Sequence, residues 1–202
     1  MEHWQNTITL RGTLQDMPRF SHESHGRRFY RFSLEVERLS GAVDILPVLT
    51  RLEVLEQVDL TGGSKLRVEG QIRSHNFSDD TGRHLQIFVH AEHITAEDGP
   101  PVNQVALLGT VCREPVLRTT PLGREICDMM LAVPRAFRRA DYLPCILWGR
   151  TAQQASACHT RDEVRLDGRL QSRVYSKYTE SGLCQRTAYE VSALTAQVPA
   201  EA

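Results

Sequence analysis

Asn6-Thr-Ile-Thr-Leu-Arg-Gly-Thr-Leu14 returns 97 residues later as Asn103-Gln-Val-Ala-Leu-Leu-Gly-Thr-Val111, and this pair of segments decides how the whole chain is read. The register continues without a gap over residues 6–47. There, 13 of 42 residues equal their counterparts, among them Gly12/Gly109, Pro18/Pro115, Gly26/Gly123, Leu34/Leu131, Val36/Val133, Arg38/Arg135, Asp44/Asp141 and Pro47/Pro144. After one inserted residue it resumes, with Val68-Glu-Gly70 against Leu166-Asp-Gly168 and Ser74 against Ser172. Two copies of one domain are expected, residues 1–98 and 103–196. The paired prolines of Glu97-Asp-Gly-Pro-Pro-Val102 suit a short, stiff linker at 99–102, and a short tail occupies 197–202.

Each copy is patterned as strands. Tyr30-Arg-Phe-Ser-Leu-Glu-Val-Glu37 puts Tyr30, Phe32, Leu34 and Val36 on one face and polar groups on the other; copy two keeps the parity with Cys127, Met129, Leu131 and Val133. Residues 67–72 and 164–170 alternate again, with Gly70 and Gly168 mid-strand, where a lone glycine marks a bulge or bend. Leu52–Leu60 and Thr151–His159 read as helices between the third and fourth strands. The order β-β-β-α-β-β predicts an all-β chain with one short helix per domain, folded as two tandem five-stranded Greek-key barrels of the OB type.

The chain has 202 residues, 41% of them hydrophobic, and a formal net charge of −1, ordinary values for a soluble protein. No stretch approaches the roughly 18 apolar residues of a membrane span. Met1–Asn6 has neither a basic nor an apolar leader segment, so a cytoplasmic location is expected. Five cysteines, all in the second half and without a CxxC pair, read as reduced, mostly buried thiols rather than a disulfide framework or zinc ribbon. The neutral total hides a division: residues 1–99 carry 11 Lys+Arg and 15 Asp+Glu (11 − 15 = −4), residues 100–202 carry 13 and 10 (13 − 10 = +3). Of the 24 cations only Lys65 and Lys177 are lysine, which favours planar, stacking donors.

Copy two resembles the bacterial single-stranded DNA-binding protein family. The resemblance is carried by Asn103-Gln-Val-Ala-Leu-Leu-Gly109, Arg113-Glu-Pro115 with Thr119 and Gly123, Met129-Met-Leu-Ala-Val133, Pro144-Cys-Ile-Leu-Trp-Gly149 with Ala152, and Leu166-Asp-Gly-Arg-Leu170 closing on Ser172-Arg-Val-Tyr175. Copy one resembles it chiefly through the repeat. The resemblance implies an OB barrel that binds single-stranded DNA without sequence preference, in replication, recombination or repair. Bases stack on aromatic side chains, each worth about 1–3 kcal/mol, while arginines follow the phosphates.

By motif position Trp148, Tyr142 and Tyr175 fall where the family places its stacking aromatics, and Phe137, within Arg135-Ala-Phe-Arg-Arg139, is a looser match. The cations expected on the fourth strand of copy two, which ends in Tyr175, are Arg165, Arg169 and Arg173, with Arg135, Arg138 and Arg139 around Phe137. In copy one the corresponding strand carries Arg67, Arg73 and Phe77, the last in the place of Tyr175. Ile45 stands opposite Tyr142 and Arg51 opposite Trp148, so copy two is expected to bind DNA more strongly. Because the family commonly assembles four OB domains, the resemblance implies a homodimer, cytoplasmic and nucleoid-associated. The family's acidic C-terminal tail, which recruits replication partners, has no counterpart here. That leaves open a primosome-like interaction module with weak DNA binding.

Other motifs point nowhere. His22-Glu-Ser-His25 has i, i+3 spacing in a predicted loop rather than the i, i+4 of a zinc helix, and His84, His90 and His93 read as a surface edge. Gly62-Gly-Ser-Lys65 lacks the residues of a phosphate-binding loop. No enzyme activity, metal or cofactor is expected.

Overall fold

The computed structural model describes residues 5–79, 82–179 and 182–198; the outer ends of the expected first domain and tail, 1–4 and 199–202, lie outside them. Copy one contains β1 (Asn6–Leu14), β2 (Arg19–Ser24), β3 (Arg27–Glu37), β4 (Val43–Arg51), α1 (Leu52–Leu55), β5 (Lys65–Asp79) and β6 (Gly82–Ala96). Copy two repeats the order as β7 (Val102–Val111), β8 (Val116–Thr119), β9 (Glu125–Arg135), β10 (Arg139–Trp148), α2 (Gly149–Ala155), β11 (Glu163–Thr179) and β12 (Gly182–Gln197).

Five strands of each copy close a barrel. In copy one the circuit runs β1–β3–β4–β6–β5–β1, antiparallel except for the β4–β6 rungs from Val48↔Val89 to Thr50↔Ala91. Copy two closes in the same way, its parallel rungs being Cys145↔Val191 and Ile146↔Ser192. Alternation fills the interiors: Ile8, Leu10, Phe32, Leu34, Val48 and Val68 are buried in copy one, and Val105, Leu107, Met129, Leu131, Cys145 and Leu166 in copy two. The OB expectation is therefore met.

Two details differ from it. β2 and β8 are edge strands additional to the five, formed where a connection alone was expected. In copy one the cause is a two-residue turn, His25 and Gly26 with φ 51° and 70°, the geometry that folds a chain back into a tight hairpin. The helices are also shorter than expected. After Glu56 N–H donates to the Leu52 carbonyl, the chain continues in i→i+3 turns (Gln57 to Val54, Val58 to Leu55), and copy two does the same after Ser156.

The bulges fall where the mid-strand glycines stand, between Glu69/Gly70 and Asp167/Gly168. A Cβ at Gly70 would collide with the His90 carbonyl, and one at Gly168 with the Ser192 carbonyl, so only glycine lets β5 and β11 cross their neighbours so closely.

The copies are joined through their first strands. β1 and β7 pair antiparallel, and the rung Asn6↔Leu107 is mirrored by Leu10↔Asn103 about the central pair Ile8↔Val105, a pseudo-twofold axis. Asn6 and Asn103 extend the ladder into their own fourth barrel strands: Asn6 Nδ2 donates to the Ile72 carbonyl (2.8 Å) and Oδ1 accepts from Ile72 N–H (2.9 Å), as Asn103 does with Leu170 (2.7 and 2.9 Å). Beyond the bulges, the β5/β6 and β11/β12 hairpins lean on the opposite copy.

Two carboxylates clasp them there. Asp44 Oδ1 accepts from Ser172 N–H (2.7 Å) and Oγ (2.9 Å) while Arg38 donates to both carboxylate oxygens. Asp141 Oδ1 accepts from Ser74 N–H (2.9 Å), and the carboxylate is flanked by Arg73 (2.9 Å) and Arg135 (3.3 Å). Both aspartates are fully buried. Burial by itself pushes the Asp44 carboxyl up, but the hydrogen bonds from Arg38 and Ser172 outweigh it and hold the group below its ordinary value.

Candidate nucleic-acid interface

The groove of copy two is built around the end of β10. Residues 142, 144, 146 and 148 share its outer face, and the chain turns into α2 directly after Trp148, at Gly149 with φ 53°. Trp148 is 37% exposed, which decides against a core role. Its Nε1–H donates to Ser192 Oγ (3.1 Å), pinning the ring edge. Arg38, Arg124, Arg169 and Arg173 line the same groove, and no carboxylate is among the lining residues. Arg38 arrives from copy one, held by its bonds to Asp44 and to the Ser172 carbonyl (3.0 Å). Four guanidinium groups around an accessible indole make a site for a planar base and its phosphates.

Tyr142, 45% exposed, lies on the Trp148 face, and its N–H donates to Ser74 Oγ of the opposite arm (2.8 Å). Tyr175 carries the Arg173 guanidinium 5.6 Å from its ring centroid. Phe77 and Tyr175, expected as equivalent sites in separate copies, line one groove between the two arms, together with His84, Arg83 and Arg186. Phe77 itself is stacked between His75 (6.4 Å between centroids) and His84 (5.2 Å).

Phe137 stands almost free at the β9–β10 hairpin, and both it and Arg138 hold left-handed backbone (φ 61° and 54°). Such strain costs of order 1–3 kcal/mol per residue and collects at working loops. Arg138 and Arg139 are exposed beside it.

The remaining cations scatter. Arg135 lines the groove of copy one, with His22, Arg31, His75 and Phe88. Arg165 is exposed at the far end of β11, opposite Leu108 and Gln197. Arg67 is held by Glu69 (2.8 Å) and faces Glu97 (3.8 Å), Arg73 is held by Asp141, and neither is among the residues that line the three grooves described above.

Strand parity and family position leave out Arg38, Arg124 and Phe29, and give no stacking role to His22, His75, His84 and His90 of copy one. The signal for Arg38 was present, since it is one of the identical pairs of the repeat. The signal for Phe29 was its register against Ile126. Burial lowers His90 toward its neutral form. Among the described residues no three His, Cys, Asp or Glu side chains converge as a metal site, and no helix is long and apolar enough to cross a membrane.

Comparison with known proteins follows the same geometry. Residues 102–198 match the Single-strand binding protein family. The chain is 38% identical over 80 residues to single-stranded DNA-binding protein B of Bacillus subtilis, covering 36% of this chain and 71% of that protein. It is 35% identical over 81 residues to single-stranded DNA-binding protein 2 of Listeria innocua, where it covers 37% of this chain and about half (51%) of the relative. The crystal structure of the wild-type single-stranded DNA-binding protein from Thermus aquaticus superposes with a TM-score of 0.78 at 25% identity, covering 98% of this chain and 94% of that one. Where the Bacillus and Listeria relatives match less than half of this chain, the Thermus structure matches nearly all of it, both barrels included. With its repeated barrels and its arginine-lined tryptophan groove, the chain belongs to the single-strand binding protein family.

Proposed function

We propose that this protein binds single-stranded DNA without sequence preference, as a protein of replication, recombination or repair. The observation that carries the reading is the groove of copy two, where a half-exposed Trp148 is ringed by Arg38, Arg124, Arg169 and Arg173 with no lining carboxylate. Every base offers a π-face to such a platform, and the guanidinium groups neutralise phosphates on either side. Tyr142, Tyr175 and Phe77 extend the path toward the arms, and the exposed Phe137 with Arg138 and Arg139 offers a further contact at the hairpin. Residues 99–102 link the two OB units in sequence, and two chains assemble into a cytoplasmic, nucleoid-associated homodimer of four barrels, from which replication proteins are reached. The protein acts by binding rather than by catalysis.

The test is titration of a labelled oligo(dT) of a few tens of nucleotides at two salt concentrations, beside a Trp148→Ala/Tyr175→Ala variant. Tight binding with a log–log salt slope of about −0.7 per phosphate contact, lost in the variant, is the expected result. Weak binding indifferent to the substitutions would overturn the reading and favour a protein-interaction module. Sedimentation at the same concentrations reads the assembly: a monomer would remove the dimer and leave DNA binding untouched.

A further inference from the structure

The hairpin β2–β3 of copy one runs against the charge of its own domain. Residues 19–31 hold Arg19, Arg27, Arg28 and Arg31 against the one carboxylate Glu23 (4 − 1 = +3), inside a half of the chain whose balance is −4. The equivalent residues of copy two, 116–128, hold Arg118 and Arg124 against Glu125 and Asp128 (2 − 2 = 0). The rings divide the same way: Phe20, His22, His25, Phe29 and Tyr30 lie in the first hairpin, and the second has none.

The register shows what has moved. At the rung where copy two pairs Ile126 with Trp148, copy one pairs Phe29 with Arg51. Directly opposed residues of antiparallel strands share one face of the sheet. Copy one has therefore transferred its aromatic to the neighbouring strand and put a guanidinium where the indole stands. Phe29 is half-buried, and exposed His22 lies parallel on it, 4.8 Å between centroids and 5° between planes. The tight His25–Gly26 turn keeps the ribbon extended so that β2 presents His22 on the outside. The adjoining groove carries Arg31 and receives Arg135 from copy two, again with no carboxylate among its lining residues.

We infer that the His22–Phe29 stack is a second base-stacking subsite for single-stranded DNA, with the nucleobase on the open face of His22 and with Arg31 and Arg135 on the flanking phosphates. The inference rests on the proposed DNA binding and assigns to copy one a contact of its own, at positions where copy two has aliphatic or hydroxyl side chains. Charge complementarity selects the occupant: a cationic strip interleaved with flat rings suits a polyanion of stacked bases.

The experiment exchanges the two residues for those of copy two, His22→Thr/Phe29→Ile, and titrates labelled oligo(dT) with this variant, the intact protein and Trp148→Ala. In parallel, an oligonucleotide carrying 5-iodouracil is photo-crosslinked to the unaltered protein and the adducts are mapped to peptides. The variant is expected to lose about tenfold in affinity for long oligonucleotides, with adducts in residues 19–31. If the intact protein binds and Trp148→Ala weakens it, while the exchanged variant binds like wild type and residues 19–31 take no adduct, the subsite is refuted and the DNA-binding reading stands. If the intact protein does not bind, both fall. Should the variant fail to fold, the adduct map of the unaltered protein decides alone.

Discussion

The two copies agree where they touch each other and differ where they face solvent. Asn6/Asn103, Arg38/Arg135, Asp44/Asp141 and Ser74/Ser172 are identical pairs, and every one makes strand-bridging or inter-copy bonds. The groove positions have diverged: Arg51 against Trp148, Ile45 against Tyr142, His75 against Arg173, Phe29 against Ile126. Each arm docks on the other barrel through a serine–aspartate pair, Ser172 on Asp44 and Ser74 on Asp141, so replacing either partner leaves a polar group of the other without its bond. A groove that faces solvent loses no such bond. Each is free to choose its own rings, although each borrows one arginine from the other copy, Arg38 in one direction and Arg135 in the other.

The largest effect is expected from breaking the agreement. Asp44→Ala removes the acceptor of the Ser172 N–H and the carboxylate partner of Arg38; Asp141→Ala does the same to Ser74, Arg73 and Arg135. Removing one partner of a buried pair costs about 3–5 kcal/mol, and the partial exposure of the arginines argues for the lower end, about 3 kcal/mol. Urea unfolding of the two variants measures it. Losses below about 1 kcal/mol in both would mean that the clasps add little to the β1–β7 ladder in joining the copies.

Acid tests the same clasp without mutation. The folded Asp44 carboxyl lies below its ordinary value of 3.8, so it takes up a proton less readily folded than unfolded. Its contribution is complete at neutral pH and is lost as pH falls below 3.8 and through the lower folded value. Thermal melts between pH 7 and 3 are expected to show a steeper acid limb for wild type than for Asp44→Asn. Parallel limbs would remove the clasp from the acid response.

Divergence of the grooves gives a smaller, more local effect. Trp148→Ala should cost about 1–3 kcal/mol of oligo(dT) binding with little change in unfolding. Arg51→Trp gives copy one the ring of copy two at the same rung and should strengthen binding severalfold, by up to about 1 kcal/mol. Equal affinities for Arg51→Trp and wild type would show that copy one's path does not cross that rung.

Strand parity, the repeat and the mid-strand glycines made the barrels legible, because a period of two and a bulge are local properties of backbone geometry. The exposed rings of copy two were legible through family position. Strand reasoning sets Arg135 beside Phe137 and gives Arg38 no groove, because the groove each one lines belongs to the other copy and only the docked arms bring them there. Arg67 and Arg73 share the parity of the binding face, yet sequence parity carries no information on the carboxylates that meet them: Glu69 and Glu97 for one, Asp141 for the other. His84 and His90 read as a surface edge, and His22 as half of a mis-spaced metal pair, because stacking partners such as Phe29 for His22, or Phe77 for His84, depend on cross-strand register.

The smallest effect reads copy two alone, because all five cysteines lie in it. Cys184 is exposed, Cys112 is half-buried, and Cys127, Cys145 and Cys158 are buried. Burial pushes the Cys127 thiol up to about 11 and raises those of Cys145, Cys158 and Cys112, so the reactive thiolate is scarce at all four. Under native conditions a disulfide reagent should therefore label one thiol per chain quickly, Cys184, and a second slowly, Cys112. The three buried thiols wait for copy two to open, and their rates divide two kinds of opening. A single shared rate means that the barrel of copy two opens as one unit. If Cys158, just beyond α2, reacts ahead of Cys127 and Cys145 in β9 and β10, the helix frays first and the strands that carry Trp148 stay closed. Prompt labelling of all five would contradict the buried positions of the three.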